Sequence, residues 1–330
     1  MSNHPLSILQ CPHDFSELTS CQSKEEQDCL TCPTCGRRYP IIQGVPVLFD
    51  PSLSSAGDVK QVEFYEEVYG REIEGKAETY DKARNCSETL INNTWRRIRD
   101  FYARSKSVNE VFHCFEEQFS FRGGERVLEI GCGLGTPGTE VCIENRDRIH
   151  YVGLDFALKP LLSLRRRFAE NGAGHFRLVH ANILDECFAH ESFDIVFGRG
   201  ILHHFDKTKK PVLAKRIYSL LKPGGKAFFL EPLNTNPVMV SLRALSRPFR
   251  PNLSWEHPFS SKEMKSFVTV FDSHEVHYFI AFSLLSMATA FHRTLFEVTD
   301  QAFNKIDHAL SSRSWWRKFY TKCVITLSRH

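Results

Sequence analysis

From Gly123 onward, short apolar runs alternate with stretches in which apolar residues recur every three or four positions. The runs are Arg126-Val127-Leu128-Glu129-Ile130, Tyr151-Val152-Gly153-Leu154, Phe176 to His180, Phe193-Asp194-Ile195-Val196-Phe197 and Lys226-Ala227-Phe228-Phe229-Leu230. Their lengths and their β-branched and aromatic content predict buried strands. Between them, Leu161, Leu164 and Phe168 keep helical spacing, as do Val212 or Leu213, Ile217, and Leu220 or Leu221. Strand and helix in alternation predict an α/β fold, a parallel sheet with helices on both faces.

Two other zones precede this one. Residues 58–122 are charged and aromatic and contain no proline. Val62, Tyr65 and Tyr69 share one helical face; Trp95, Ile98, Phe101 and Tyr102, then Val108, Val111, Phe112, Phe115 and Phe119, share others. They predict a helical lead-in packed on the sheet domain. Residues 1–50 are rich in cysteine and end in the extended run Tyr39 to Phe49, where two prolines and a glycine exclude a helix. Asp50 to Gly57 has the composition of a linker. The expected organisation is therefore 1–50, 51–122 and 123–330. Late in the chain, Phe279 to Phe291 is apolar but only 13 residues long. That is too short to span a bilayer. With Phe282 and Phe296 it reads as a buried helix or the wall of an apolar pocket.

Composition narrows the function. The 330 residues are 42% hydrophobic, enough for one full core and a small accessory module. A net charge of +3 gives no basic field that demands nucleic acid. The arginine runs at 96–104, 165–167 and 243–250 read as solvated helix faces; alternatively the basic segments at 96–106 and 243–250 form one RNA-binding stripe. Five of eleven cysteines fall within the first 35 residues: Cys11, Cys21, Cys29, Cys32 and Cys35. Met1 to Gln10 has no secretory character. An odd count clustered at one end predicts metal ligation in a reducing cytoplasm, without disulfides.

The first strand of the sheet runs into Glu129-Ile130-Gly131-Cys132-Gly133-Leu134-Gly135-Thr136. Glycines at this turn let backbone approach a ligand closely, off the carboxyl ends of parallel strands. Asp155, about twenty residues on, closes the second strand and can accept both hydroxyls of a ribose. A dinucleotide-binding turn would place its third glycine at Thr136, which it does not. Glu129 beside the turn repels a pyrophosphate but attracts a cation. The electrostatic sign favours a sulfonium nucleoside.

The stretches Val127-Leu128-Glu129-Ile130-Gly131-Cys132-Gly133-Leu134-Gly135, Val152-Gly153-Leu154-Asp155, Ser192 to Phe197, Ile201-Leu202-His203-His204-Phe205 and Leu220-Leu221-Lys222-Pro223-Gly224-Gly225 occur in that order. Over roughly its last 200 residues the chain thus resembles class I S-adenosylmethionine-dependent methyltransferases. The resemblance implies a Rossmann-like seven-stranded sheet whose last strand, here Cys323 to Leu327, runs antiparallel. It implies that Glu129 and the backbone of Gly131, Cys132, Gly133 and Gly135 hold the methionine end, directly or through water. It further implies that Asp155 holds the ribose, that Phe156 flanks the adenine, that Asn182 meets the adenine amino group, and that Gly198 and Arg199 close over the methionine.

Methyl transfer needs chiefly positioning and, for some acceptors, a base. His203 and His204 follow the fourth strand and are candidate bases; His257, in an insertion after the fifth, is another. Each has an alternative reading as scaffold.

Leu9-Gln10-Cys11-Pro12, Cys32-Pro33-Thr34-Cys35-Gly36 and Tyr39-Pro40-Ile41 resemble the ribbon of the small tRNA-methyltransferase activator proteins. Cys32 and Cys35 form a good zinc knuckle. Asp14 stands where that ribbon has a cysteine. A structural Zn2+ is expected on Cys11, Asp14, Cys32 and Cys35, with Cys29, Cys21 or His13 as a substitute fourth ligand. The ribbon would serve structure or protein docking. The whole chain reads as an S-adenosylmethionine-dependent methyltransferase acting at O, N or C of a small or lipid-like acceptor. The alternatives are an RNA methyltransferase docked through the ribbon, and a non-catalytic scaffold.

Overall fold

The computed structural model describes residues 8–22, 28–74, 105–246, 255–289 and 292–330. Trp95, Ile98, Phe101, Tyr102, Phe291 and the arginines at 96–104 and 247–250 lie outside the described residues.

The extended run near the N-terminus folds as a hairpin. Gln43 and Gly44 both take positive φ (49° and 81°), the geometry of a two-residue turn that matches strand twist. They join β3 (Arg38–Ile42) to β4 (Val45–Pro46). With β1 (Thr19–Gln22) and β2 (Asp28–Thr31) these make an antiparallel sheet in the order β1-β2-β3-β4. Cys21 and Cys29 face each other across β1 and β2 and are joined by a disulfide. This corrects the expectation of free, metal-ligating cysteines throughout. Cross-strand pairing brings the two Cα atoms to 5.0 Å, within disulfide reach, so neither cysteine is the fourth metal ligand.

The lead-in forms α1 (Ala56–Ile73) and α2 (Lys106–Glu116). A capping box between Ser55 and Asp58 starts α1. Next come β5 (Glu125–Ile130), α3 (Pro137–Glu144), β6 (Ile149–Asp155), α4 (Leu158–Glu170), β7 (Arg177–His180), β8 (Phe193–Arg199) and α5 (Lys209–Leu220). The chain ends with β9 (Leu221–Pro232), α6 (Pro237–Ser246), α7 (Ser261–Val268), β10 (Ser273–Phe279), α8 (Arg293–Leu310) and β11 (Lys322–Ser328).

The main sheet has the order β10-β11-β9-β8-β5-β6-β7. β11 is antiparallel to both neighbours, and the pairs from β9 to β7 are parallel. Period-two alternation separates its two faces. Leu128 and Ile130 of β5 enter one buried cluster, and Val127 enters the other. The chain winds from β5 through β6 to β7, then returns to β8 on the opposite side of β5. That reversal opens a crevice at the carboxyl ends of β5 and β8, where open sheets hold ligands.

Sequence periodicity gives no sign of β10. It lies at the sheet edge, His274, Glu275 and His277 break its apolar pattern, and it is exposed or half-buried along its length. The apolar stretch expected as one helix is divided: Phe279 ends β10, and Phe282–Thr289 forms a 3-10 helix.

The cysteine-rich ribbon covers the opposite edge. Leu48 and Phe49 amides donate to the His180 carbonyl of β7 at 2.8 and 2.9 Å. Ile8, Leu9, Leu18, Leu30, Tyr39 and Leu48 belong to the same buried cluster as Leu128, Val152 and Phe193. One core runs through both modules.

Candidate active site

At the end of β5, Gly131 and Gly133 take φ of 72° and 49°, where a side chain is strained. A Cβ on Gly131 would come within 2.7 Å of Ile201. Thr136 caps α3, with Pro137 in its first turn. The glycine turn thus feeds directly into a helix N-terminus.

Asp155 lies under this turn, 4% exposed. Its Oδ2 accepts from the Gly133 amide at 2.8 Å and its Oδ1 from the Ala157 amide at 2.9 Å. Each oxygen keeps a further lone pair for ligand hydroxyls. Burial pushes its carboxyl up from 3.8 to about 6, against the amides that favour the charged form.

A cavity of about 250 Å3 opens here. Gly131, Cys132, Gly133, Gly135, Asp155, Phe156 and Arg199 line it, as do Tyr65, Tyr69 and His204. Glu129 lies beneath the wall, fully buried. Its carboxylate accepts the hydroxyls of Thr136, Thr139 and Tyr151 at 2.6 to 2.7 Å. Burial raises its carboxyl to about 7. In this position it braces the turn. Asn182 is also off the wall and accepts from the Leu184 amide. Gly198 packs behind, where a Cβ would meet Ile201 at 2.7 Å and the Ile130 carbonyl at 2.9 Å. The Arg199 guanidinium stands 4.7 Å from the Phe112 ring centre, and burial lowers its pKa.

α1 roofs the cavity for an identifiable reason. Ala157 gives α4 no side-chain cap, and Glu66 of α1 supplies one by accepting from the Leu158 and Lys159 amides. An Asp58–Lys209 ion pair ties the same helix to α5. Tyr65 and Tyr69, four residues apart, then face inward. A Cβ on Gly133 would approach the Tyr69 hydroxyl to 2.9 Å. Tyr65 meets Phe156 and His204 edge-on, at 5.8 and 5.6 Å between ring centres.

The three candidate histidines converge, and His204 alone of them lines the cavity. Its Nε2 lies 3.4 Å from the Tyr65 hydroxyl. Burial, then the nearby His203 and His257, push its pKa down to about 3. The ring is neutral near pH 7. The His203 ring lies against it, tilted by 35° at 4.3 Å between centres, its Nδ1 held 2.8 Å from Oε2 of the fully buried Glu231. Glu231 also accepts the amides of Ile201, Leu202 and His203. The His257 amide donates to the His203 carbonyl at 2.5 Å. Lys210 holds His257 in turn, donating to its carbonyl and pairing with Glu263.

Sequence reasoning passed over Tyr65, Tyr69, Glu66 and Glu231. The tyrosines carried only a helical-spacing signal, which reads as core. Glu231 carried a better one, as an acidic residue at the carboxyl end of a strand.

In the ribbon, Cys11, Asp14, Cys32 and Cys35 bring one donor atom each within 4.8 Å of one another. Cys11 and Cys35 sulfurs are 3.6 Å apart, and Cys32 Sγ approaches the Asp14 carboxylate at 3.2 Å. Three thiols and a carboxylate at this spacing could hold a tetrahedral Zn2+. His13 faces away, onto Asp50.

Residues 128–227 match the family model described as a methyltransferase domain, and residues 6–44 that of Trm112p-like proteins. Phosphoethanolamine N-methyltransferase 1 of Arabidopsis thaliana is 28% identical over 118 residues, 36% of this chain and 23% of that protein. Demethylmenaquinone methyltransferase of Anoxybacillus flavithermus is 26% identical over 48% of this chain and 68% of its own. The chain thus spans less than a quarter of the first of these relatives. Among solved structures, phosphoethanolamine N-methyltransferase 2 of Haemonchus contortus, with phosphomonomethylethanolamine and S-adenosylhomocysteine, has a TM-score of 0.46 at 13% identity. That match covers 74% of this chain and 59% of the other. Among the described residues no helix is long and apolar enough to cross a membrane.

Proposed function

Because the chain carries a methyltransferase domain behind a Trm112p-like module, we propose that it transfers a methyl group from S-adenosylmethionine to a small or lipid-like acceptor. The supporting observation is one continuous cavity that runs from Asp155 to His204. The cavity residues fit the donor. Asp155 keeps two acceptor positions for ribose hydroxyls, and Gly131 and Gly133 keep backbone open beside them. Phe156 offers a ring to the base.

When bound, the donor supplies an electrophilic methyl group on a sulfonium. Tyr65 and Tyr69 present aromatic surface and hydroxyls to that cationic region. They also restrict water from above. His204, next to the Tyr65 hydroxyl, is placed to accept a hydrogen bond from an oxygen or nitrogen acceptor and orient it toward the methyl group; with its pKa down at about 3 it is a weak base, and its part is positioning. Glu231 orients His203 and the 201–204 turn and thereby fixes His204. The acceptors in the relatives' names, phosphoethanolamine and demethylmenaquinone, are a small phosphate ester and a lipid-like quinone. Both belong to the proposed acceptor class.

Calorimetric titration with S-adenosylhomocysteine tests the reading. Saturable binding is expected, weakened about a hundredfold in Asp155→Ala through two lost charge-assisted hydrogen bonds. Absent binding, or an unchanged Asp155→Ala, would overturn it. Incubation with labelled S-adenosylmethionine and separated metabolite pools then tests the acceptor. Label found only in RNA would reject a small acceptor while leaving the methyltransferase reading in place.

A further inference from the structure

A second cavity, of about 240 Å3, lies between the ribbon and the edge of the main sheet, away from the glycine turn. Ile8, Leu9 and Ile41 of the ribbon face Val179 and Phe188 across it. Its walls are apolar except for two charged side chains, Arg165 of α4 and Arg177 of β7. The Arg165 Nη1 donates to the carbonyls of Gly174 (2.7 Å) and Phe176 (3.3 Å). The Arg177 Nη1 donates to those of His175 (2.9 Å) and Phe176 (3.5 Å). Both guanidiniums therefore converge on one carbonyl oxygen. Among the described residues, neither is ion-paired with a carboxylate.

Two cations gathered on the wall of an apolar cavity repel each other, and an anion between them removes that cost. The Arg177 pKa is lowered by burial and then by the Arg165 charge, in keeping with this placement. Guanidinium groups present paired N–H donors that match carboxylate and phosphate oxygens. An apolar cleft with a few convergent polar groups, at the boundary of two modules, has the form of a small-molecule site. We propose that this cavity binds an amphiphile with one anionic head and one hydrocarbon tail. The head lies between Arg165 and Arg177, and the tail against Ile41, Leu9 and Phe188. This site is independent of the methyl-transfer cavity.

The test titrates the full chain with decanoate, decyl phosphate and decanol. Saturable one-to-one binding of at least one anion is expected, with decanol at least tenfold weaker. Which anion binds names the head group. Arg165→Gln and Arg177→Gln should each weaken the anions about tenfold, the equivalent of one charge-assisted hydrogen bond. Neither should change decanol binding. Ile41→Trp should fill the cavity and abolish binding of all three. Thermal unfolding and S-adenosylhomocysteine binding of each variant check that the fold is kept. No saturable anion binding by the native chain, anion binding untouched by either arginine substitution in a folded variant, or decanol binding as tightly as the anions would overturn the proposal.

Discussion

Asp155 and Glu231 are both buried strand-end carboxylates, yet their oxygens are used differently. Asp155 accepts from the Gly133 and Ala157 amides, one on each oxygen, and lines the cavity. Burial raises its carboxyl to about 6. Below that pH the group is protonated and loses acceptor strength toward ribose hydroxyls; above it, the carboxylate is restored. Affinity for S-adenosylhomocysteine should therefore fall as pH drops through about 6, and Asp155→Asn should bind weakly with that step removed. Titrations from pH 5 to pH 8 check both. Glu231 has four N–H donors aimed at it and nothing left over. Glu231→Gln keeps one acceptor oxygen but turns an amide N–H group toward His203. We expect a stability loss of about 2 kcal/mol, the usual size for a buried donor left unsatisfied. Turnover should fall more than cofactor affinity does, because Asp155 is untouched. A kcat and KM comparison beside calorimetry separates the two effects, and equal loss in both would point to general disruption. Asp155 was legible in sequence because the glycine turn and the following strand end bracket it. Glu231 carried only its place at a strand end; its partners, the amides of residues 201–203 and the His203 ring, lie 28 to 30 residues away, where no local pattern announces them.

Among the elements, periodicity tells some things and omits others. Val62, Tyr65 and Tyr69 correctly announced a helix, since spacing reports which residues share a face. It does not report what that face covers. The location of α1 follows from Glu66 capping a neighbouring helix that lacks its own cap, a contact 92 residues apart in the chain. The sheet was legible where strands are buried on both faces and run as apolar blocks. It failed at β10, an exposed edge with a polar pattern. Glu66→Ala should cost about 1 kcal/mol, the usual worth of an N-cap. It should also weaken S-adenosylhomocysteine binding severalfold, because Tyr69 is no longer held over Gly133. Thermal melts and calorimetry check this; a melt change without any affinity change would detach α1 from the site. Tyr65→Phe keeps the ring and removes the hydroxyl beside His204. Turnover should drop about tenfold, roughly the worth of one hydrogen bond that holds His204 in place, with cofactor affinity preserved.

For the whole molecule, the ribbon's place decides how the chain behaves as a unit. Its cysteines and prolines made it legible as a separate module, and its resemblance pointed to docking. Within the chain, the ribbon packs onto β7. An uncovered edge strand invites association with other chains, and here Leu48 and Phe49 cover it. Leu48 is fully buried in a cluster that also holds Leu128 and Phe193. Shared burial of this kind couples the stabilities of the two parts. Leu48→Ala should therefore cost about 3 kcal/mol, the ordinary loss for a buried leucine, and lower the unfolding of the entire chain. Removing a thiol at the four-donor cluster, as in Cys32→Ser, should act in the same direction, since a structural metal contributes directly to folding energy. If the ribbon is integral, differential scanning calorimetry will show one transition moving down in each variant. A ribbon that melts early and alone, leaving the main transition in place, would mean that the continuous core does not bind the two modules into one cooperative unit.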